Sequence, residues 1–506
     1  MIDPEPRNQP AYAWWLGVGL ISAVALALRV AVLDSQSIWY DEAVTANLVK
    51  ASFLDIFLGN ARDNGNPPLF LLVARAWYLL FGDSAWGLRS LSVFCSVLAV
   101  PLMACLGRRI SNPATGLLAA SLFTINPLQV ELANEARGYA VLHLCVITNA
   151  LMFIRWLQDR KRRDLILYGA TLFLSCYDHY YALLLPLVHV SVVAFHGEHR
   201  SGFLPWLGVS AVAGLVWSSW LPAFHRQLTT QGNLSRLAEN WPFQFLATPV
   251  TFALGRTFAW RDSSAWMMVC AVGCTLLVFG VPALVAVASL RTRHAIQLWL
   301  VGWLLIPIVV PLVIALTWTP IYSHRYASVG LPAFLLLTAI GILALPFRIR
   351  LLNLALVFSL TGYSLYQYAT TMLKDDWRVV TPRILDELAP GEIMLFDMDF
   401  EVVSFEYYAM RVGNLPPEMY GLLPPRKESL TLIGVKYQNG KRMDPTPEDF
   451  SAAILGEAKI CLVLCVPSRA LADYDEFFQR HGFGKSASFQ KGRIGIHHFT
   501  RTKDSS

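Results

Sequence analysis

The sequence predicts a mainly α polytopic membrane protein of about eleven transmembrane helices, followed by a small C-terminal α/β extracytoplasmic domain. Three observations carry this expectation. Of 506 residues, 55% are hydrophobic and only 15% charged, a balance foreign to a soluble chain of this length. The basic residues fall in short runs between apolar stretches, all on one side once those stretches are counted as spans. After about residue 370 hydropathy falls, and amphipathic helices begin to alternate with short apolar strands. The formal net charge of +6 therefore reports membrane orientation and gives no ground for a nucleic-acid partner.

The first apolar stretch, 12–33, is about 33 Å long as a helix, enough to cross a bilayer. It is too long for a signal-peptide core and is expected to remain as an anchor, with Arg29 snorkelling to the surface from its last turn. Residues 34–85 form a first extracytoplasmic loop with juxtamembrane helices, one of them started by the Ser52/Asp55 capping pattern. The apolar run 67–81 is only about 15 residues and stays at the surface, because a crossing there would move the Arg108-Arg109 and Arg160–Arg163 clusters outside. The remaining spans are 86–106, 113–132, 139–157, 165–177, 181–195, 203–224, 265–290, 296–318, 327–346 and 351–368. Of these, 165–177 and 181–195 are the shortest pair. The loop 225–262 is long and aromatic and is expected to dip onto the membrane. This divides the chain into a transmembrane domain, 1–369, and an α/β domain, 370–506. In the latter, helices at 376–388 and 474–481 and strands at 392–396, 460–466 and 494–500 are expected. The amino terminus is cytoplasmic and the C-terminal domain extracytoplasmic, in a multi-pass protein of the cytoplasmic (inner) membrane. Six of the eight cysteines lie in or beside spans; Cys461 and Cys465 share a strand face about 13 Å apart, too far to bridge. No internal repeat and no phosphate-loop glycine pattern is present.

This topology sorts the polar residues. The inner side carries simple basic turns. The outer side carries Asp41 and Glu42, Arg62 and Asp63, Arg89, Glu131, Glu135, Arg137 and Tyr139, Asp178 and His179, and His324-Arg325-Tyr326. Carboxylates, guanidiniums and imidazoles gathered at one membrane face define a candidate site. Each has a plainer reading. Asp41 could cap the following helix, and Glu42 could complement its dipole. Arg89 and Arg137 could snorkel at span ends, Glu135 could pair with Arg137, and His179 could anchor an aromatic interface.

The motifs Trp39-Tyr40-Asp41-Glu42-Ala43, Asn66-Pro67-Pro68-Leu69-Phe70, Leu88-Arg89-Ser90-Leu91-Ser92 and Asn134-Glu135-Ala136-Arg137-Gly138-Tyr139-Ala140 occur in that order. In order and spacing they resemble glycosyltransferase family 39, which includes protein O-mannosyltransferases and lipid A aminoarabinose transferases, with the C-type membrane glycosyltransferase fold. Tyr322–Tyr326 and Asp376-Trp377-Arg378 are similar to bacterial members. The resemblance covers about residues 12–380. Members usually carry histidine before the double proline, where this chain has Asn66, a departure that bears on any metal or phosphate role there.

The resemblance implies a transferase that moves a hexosyl or pentosyl group from a polyprenyl-phosphate-linked donor to an acceptor hydroxyl or phosphate, with inversion, at the outer face. The chemistry agrees, since nucleotide sugars are absent from that face. Inversion needs one base, for which Asp41 is the candidate, with Glu42 beside it. The departing lipid phosphate needs cations, for which Arg89, Arg137 and Arg325 are candidates, with His179 and His324. Glu135 and Tyr139 complete the substrate-binding set. Whether a divalent metal joins Asp41 and Glu42 stays open, as does the acceptor: a glycan, a lipid or a protein. The rival reading is a secondary transporter or lipid flippase, which would place ionisable residues at mid-span and show repeat symmetry.

Overall fold

A computed structural model describes residues 11–63, 66–195, 197–229, 241–256, 265–416, 418–422, 434–438, 441–443, 447–465 and 469–502. The chain forms two compact units. The first comprises Met1–Leu33 and Leu48–Thr370, the second Asp34–Asn47 and Thr371–Ser506. One boundary between the units falls between Thr370 and Thr371. The assignment of Asp34–Asn47 to the second unit was not expected, because the residues that hold it lie more than 300 positions away in sequence.

Every stretch expected to span is helical in the first unit. Among the described residues eight helices are long and apolar enough to cross a membrane, or nine if the bent pair Pro113–Ile125 and Pro127–Ala133 is one span. The other two, Arg162–Asp178 and the apolar segment Tyr180–Ala194, are the pair that the sequence marks as short. Leu69–Phe81 is likewise a short apolar helix. Ser52 Oγ accepts from the Asp55 amide at 3.1 Å, starting the helix Phe53–Asp63 as its pattern predicts. Part of the aromatic loop 225–262 is the helix Trp241–Leu254; its stretches 230–240 and 257–264 lie outside the described residues.

Two features of the bundle position the site. Asn126 interrupts the bent pair with extended backbone, caps the second helix by accepting from Gln129 N at 3.0 Å, and donates to Phe252 O at 2.7 Å. Pro127, lacking an amide donor, begins the new helix, and the axis turns by 59°. Arg29, expected at the surface, is fully buried instead. Its Nε donates to Ser96 Oγ at 2.8 Å and its Nη1 to Thr124 O at 3.1 Å, the carbonyl end of Pro113–Ile125. A cation at a helix carboxyl end is favoured by the helix dipole, and that interaction replaces the water it would have reached by snorkelling.

The basic turns gather at one end of the bundle. Arg109 donates to Gln158 at 2.9 Å, and Arg293 to Ile110 O at 3.3 Å. Arg89 and Tyr139 lie at the opposite ends of the same helices, Ala85–Ile110 and Tyr139–Asp159.

The second unit is a sheet of seven strands: β1 (Ile393–Phe396), β2 (Glu418–Leu422), β3 (Gly434–Gln438), β4 (Lys441–Met443), β5 (Lys459–Leu464), β6 (Phe483–Lys491) and β7 (Ile494–Arg501). Their order is β4-β3-β2-β1-β5-β7-β6, with β1 parallel to β2 and β5 and the other pairs antiparallel. The central β1 is apolar throughout because both its faces are covered. Met394 and Phe396 pack with Trp377, Ile384 and Phe405 from the helices Trp377–Glu387 and Glu401–Val412. Leu395 packs with Ile454, Tyr474 and Phe478 from Pro447–Gly456 and Arg469–Arg480. Cys461 and Cys465 are both free.

One pair ties the last strand to the rest of this unit. His498 Nδ1 of β7 lies 2.7 Å from Glu392 Oε1 just before β1, and both side chains are largely buried. The Glu392 hydrogen bond raises the His498 pKa above its usual value. A raised histidine pKa gives stability that is fully present below the unfolded value of about 6.5 and fades as pH rises through the folded value. His498→Gln is therefore expected to lower the thermal midpoint in detergent at pH 6, with the two proteins converging by pH 9. A constant difference across that range would contradict the charged pair.

Candidate functional site

The site in the first unit is built on two carboxylates that the fold seals from water. Glu131, carried round by the bend at Asn126, and Glu135, in the loop after that short helix, are both fully buried. Each is answered by arginine. The Arg256 amide donates to Glu131 Oε1 at 2.7 Å, its Nε to Oε2 at 2.9 Å, and its Nη2 to Glu135 Oε1 at 2.7 Å. Arg325 Nη2 pairs with the other oxygen, Glu135 Oε2. One carboxylate thus bridges two guanidiniums. Burial works against the charge of Arg256, but Glu135 and Glu131 more than offset it and raise its pKa. The acids are inside and the bases reach outward: the side chains of Arg256 and Arg325 are 29% and 13% exposed.

Local sequence explains this geometry. Gly255 has φ +71, and a Cβ there would overlap Glu131 Oε1, so only glycine lets the Arg256 amide approach. Ser92 Oγ donates to Glu135 O at 2.7 Å and fixes the loop against the helix Ala85–Ile110. His143, one turn into Tyr139–Asp159, meets Gln129 at 3.1 Å and Ser328 O at 2.9 Å, joining three segments of the site.

Several of the residues expected from sequence come together here. Arg325 lies over the Tyr139 ring at 4.8 Å. His179 lies 6.0 Å from the Tyr139 ring, 5.6 Å from Tyr181 and 4.9 Å from Tyr326. Its Nδ1 accepts from the Tyr181 amide at 3.2 Å, and burial together with the Arg137 charge pushes its pKa down to about 3, so it is neutral. His324 is adjacent to Arg325; neither of its ring nitrogens has a hydrogen-bond partner among the described residues. The same holds for both carboxylate oxygens of buried Asp178. Arg137 is half-buried, with its amide bonded to Glu135 O at 2.8 Å. Arg89 does not snorkel: it is fully buried, and its Nη1 donates to Leu33 O at 2.8 Å, where the chain leaves the first helix. Arg256 is the residue that sequence reading missed. Its signal was faint: a glycine and a base closing an apolar helix, outside any motif.

Asp41 and Glu42 lie in the second unit. Their helix starts at Tyr40, and the carbonyl that opens it is that of Trp39, so Asp41 lies inside the first turn and is not the cap. Asp41 is half-buried. Glu42 is fully buried, and its Oε2 accepts from Lys374 Nζ at 3.1 Å. Among the described residues no three His, Cys, Asp or Glu side chains are grouped so as to hold a metal ion. Glu42, engaged by an ammonium, is poorly suited to be a ligand.

The family described as dolichyl-phosphate-mannose-protein mannosyltransferase matches residues 65–222, less than half of the chain. No curated protein sequence matches it. Solved structures are similar in fold. ArnT from Cupriavidus metallidurans, in the apo state, matches with TM-score 0.59 and 13% identity over 97% of this chain and 98% of that one. The same protein bound to undecaprenyl phosphate matches with TM-score 0.53 and 14% identity, over the same shares of each chain. The oligosaccharyltransferase of Archaeoglobus fulgidus in its apo form matches with TM-score 0.52 and 12% identity over 79% of this chain, which spans 64% of that protein. The fold is that of the C-type membrane glycosyltransferases, as the motifs led one to expect.

Removing Arg256 leaves two buried carboxylates short of a partner. Arg256→Gln is expected to destabilise the protein by about 3–5 kcal/mol, and adding Glu131→Gln to restore part of that loss. Thermal unfolding of the single and double variants checks this; purely additive losses would contradict the pairing.

Proposed function

We propose that the chain is a glycosyltransferase of the cytoplasmic membrane that takes a hexosyl or pentosyl group from a polyprenyl-phosphate donor at the outer face. The observation that carries this reading is the Arg256–Glu135–Arg325 bridge. Two guanidiniums held by one buried carboxylate form a preorganised cation pair at the end of the bundle away from the basic turns. Such a pair suits a phosphate whose negative charge grows as it leaves. Support for the donor class comes from the neighbours in fold: ArnT has been solved with undecaprenyl phosphate, and the Archaeoglobus fulgidus enzyme with a dolichol-phosphate.

In the proposed reaction the acceptor oxygen attacks the anomeric carbon opposite the phosphate. The Asp41 carboxylate takes the acceptor's proton as the new C–O bond forms. The bond to the phosphate oxygen breaks, and its electron pair leaves with the lipid phosphate, inverting the anomeric centre. Arg256 and Arg325 receive the departing charge, with Arg137 as a further cation. Arg89 fixes the chain at Leu33, where the segment bearing Asp41 begins. The Tyr139 ring supports Arg325, whose guanidinium carbon lies over it at 4.8 Å, and neutral His179 together with His324 offers polar contacts for the sugar. Glu42, held by Lys374, orients its neighbour Asp41. The Archaeoglobus fulgidus enzyme has been solved with zinc and sulfate, and this scheme routes no step through a metal.

Purified protein in detergent is expected to consume a labelled undecaprenyl-phosphate sugar and release undecaprenyl phosphate, and Arg325→Met to lower kcat by roughly 100-fold. Consumption of nucleotide sugars with no turnover of any lipid-phosphate sugar would refute the donor class.

A further inference from the structure

The segment bearing Asp41 is built into the C-terminal unit by contacts on both sides of that residue. On the amino-terminal side, Gln36 makes a reciprocal pair with the chain leaving the last membrane helix: its Nε2 donates to Thr371 O at 2.9 Å, and its Oε1 accepts from Leu373 N at 2.9 Å. The Tyr408 hydroxyl, from the helix Glu401–Val412, accepts from Ile38 N at 2.8 Å and lies 3.0 Å from Ser37 Oγ. Ser37 Oγ also accepts from the Arg378 amide at 3.3 Å, while Arg378 Nη1 donates to Asp34 O at 3.0 Å. Gln36, Ser37 and Ile38 are all buried. Next to Asp41, the Tyr40 ring meets Phe400 at 5.2 Å. On the carboxyl-terminal side, Lys374 Nζ holds Glu42 at 3.1 Å and lies 5.3 Å from the Trp39 ring.

Nine residues of helix would not form stably alone. The helix Tyr40–Leu48 has a buried acid in its first turn that needs a cation, and Lys374 supplies it. A side chain between two anchored neighbours has its direction fixed, and Asp41 is the half-buried residue between Tyr40 and Glu42.

We infer that the C-terminal α/β unit is the positioning frame of the catalytic carboxylate, with Tyr408 and Lys374 as positioning residues that aim Asp41 through Ser37-Ile38 and Glu42. The inference rests on the base role proposed for Asp41. It gives the outer domain a part in the chemical step, and it predicts that perturbing this domain changes turnover more than donor binding.

The test is steady-state transfer from an undecaprenyl-phosphate sugar by full-length protein, with KM and kcat measured for each variant. Tyr408→Phe keeps the ring and removes the hydroxyl; kcat is expected to fall about 10-fold, with KM for the lipid donor unchanged. Lys374→Met is expected to lower kcat similarly, again with KM unchanged, and Lys374→Arg to restore most of it. Wild-type kcat in Tyr408→Phe and Lys374→Met would overturn the inference, as would losses confined to KM or an arginine variant as impaired as the methionine. Full activity in Asp41→Asn would instead remove the base role itself, and the positioning claim with it.

Discussion

Two carboxylates that cannot reach water set the terms for the membrane unit. Ionised acids as deeply buried as Glu131 and Glu135 cost several kcal/mol each unless well-oriented cations answer them. The fold provides such cations from distant parts of the chain: Arg256 follows an apolar helix, and Arg325 opens another. Much else in this region serves that compensation. The bend at Asn126 delivers Glu131, Gly255 lets the Arg256 amide approach, and Ser92 fixes the carbonyl of Glu135. An arrangement this interdependent is rigid, and rigidity is what electrostatic stabilisation of a leaving group requires. A flexible arginine would have to be ordered at the moment of reaction; here Glu135 has ordered two in advance.

The second unit follows a different logic. Its sheet buries β1 between two layers of helices and gains stability as any α/β domain does. What distinguishes it is the borrowed segment Asp34–Asn47. The segment is too short to fold alone and too polar to lie in a bilayer, so its conformation depends on Tyr408, Lys374 and Gln36. The acid proposed for proton transfer is thus supported by the second unit, while the cations proposed for the phosphate are supported by the membrane bundle.

Much of this was legible in the sequence, where the signal is local. Helix length and apolar composition pointed to the spans, because a bilayer imposes both on every segment independently. The strands β1, β5 and β7 stood out from short local patterns of apolar and β-branched residues. The polar edge strand β6 did not, with most of its residues exposed. Motif order pointed to Glu135, Tyr139 and Arg325, which the structure brings together. Arg29 was misread because snorkelling is judged from position in one helix, whereas its partners Ser96 and Thr124 come from two others. Arg256 was missed, and the Lys374 partner of Glu42 was not foreseen, because pairing across 121 and 332 positions leaves no local trace.

The central claim is that Asp41 removes the acceptor's proton while preorganised arginines receive the phosphate. It is tested most directly by single-turnover transfer from an undecaprenyl-phosphate sugar in wild type and Asp41→Asn. The account requires a rate in the variant about 1,000-fold below that of the wild type, at unchanged donor affinity. A variant that retained the wild-type rate would contradict the account.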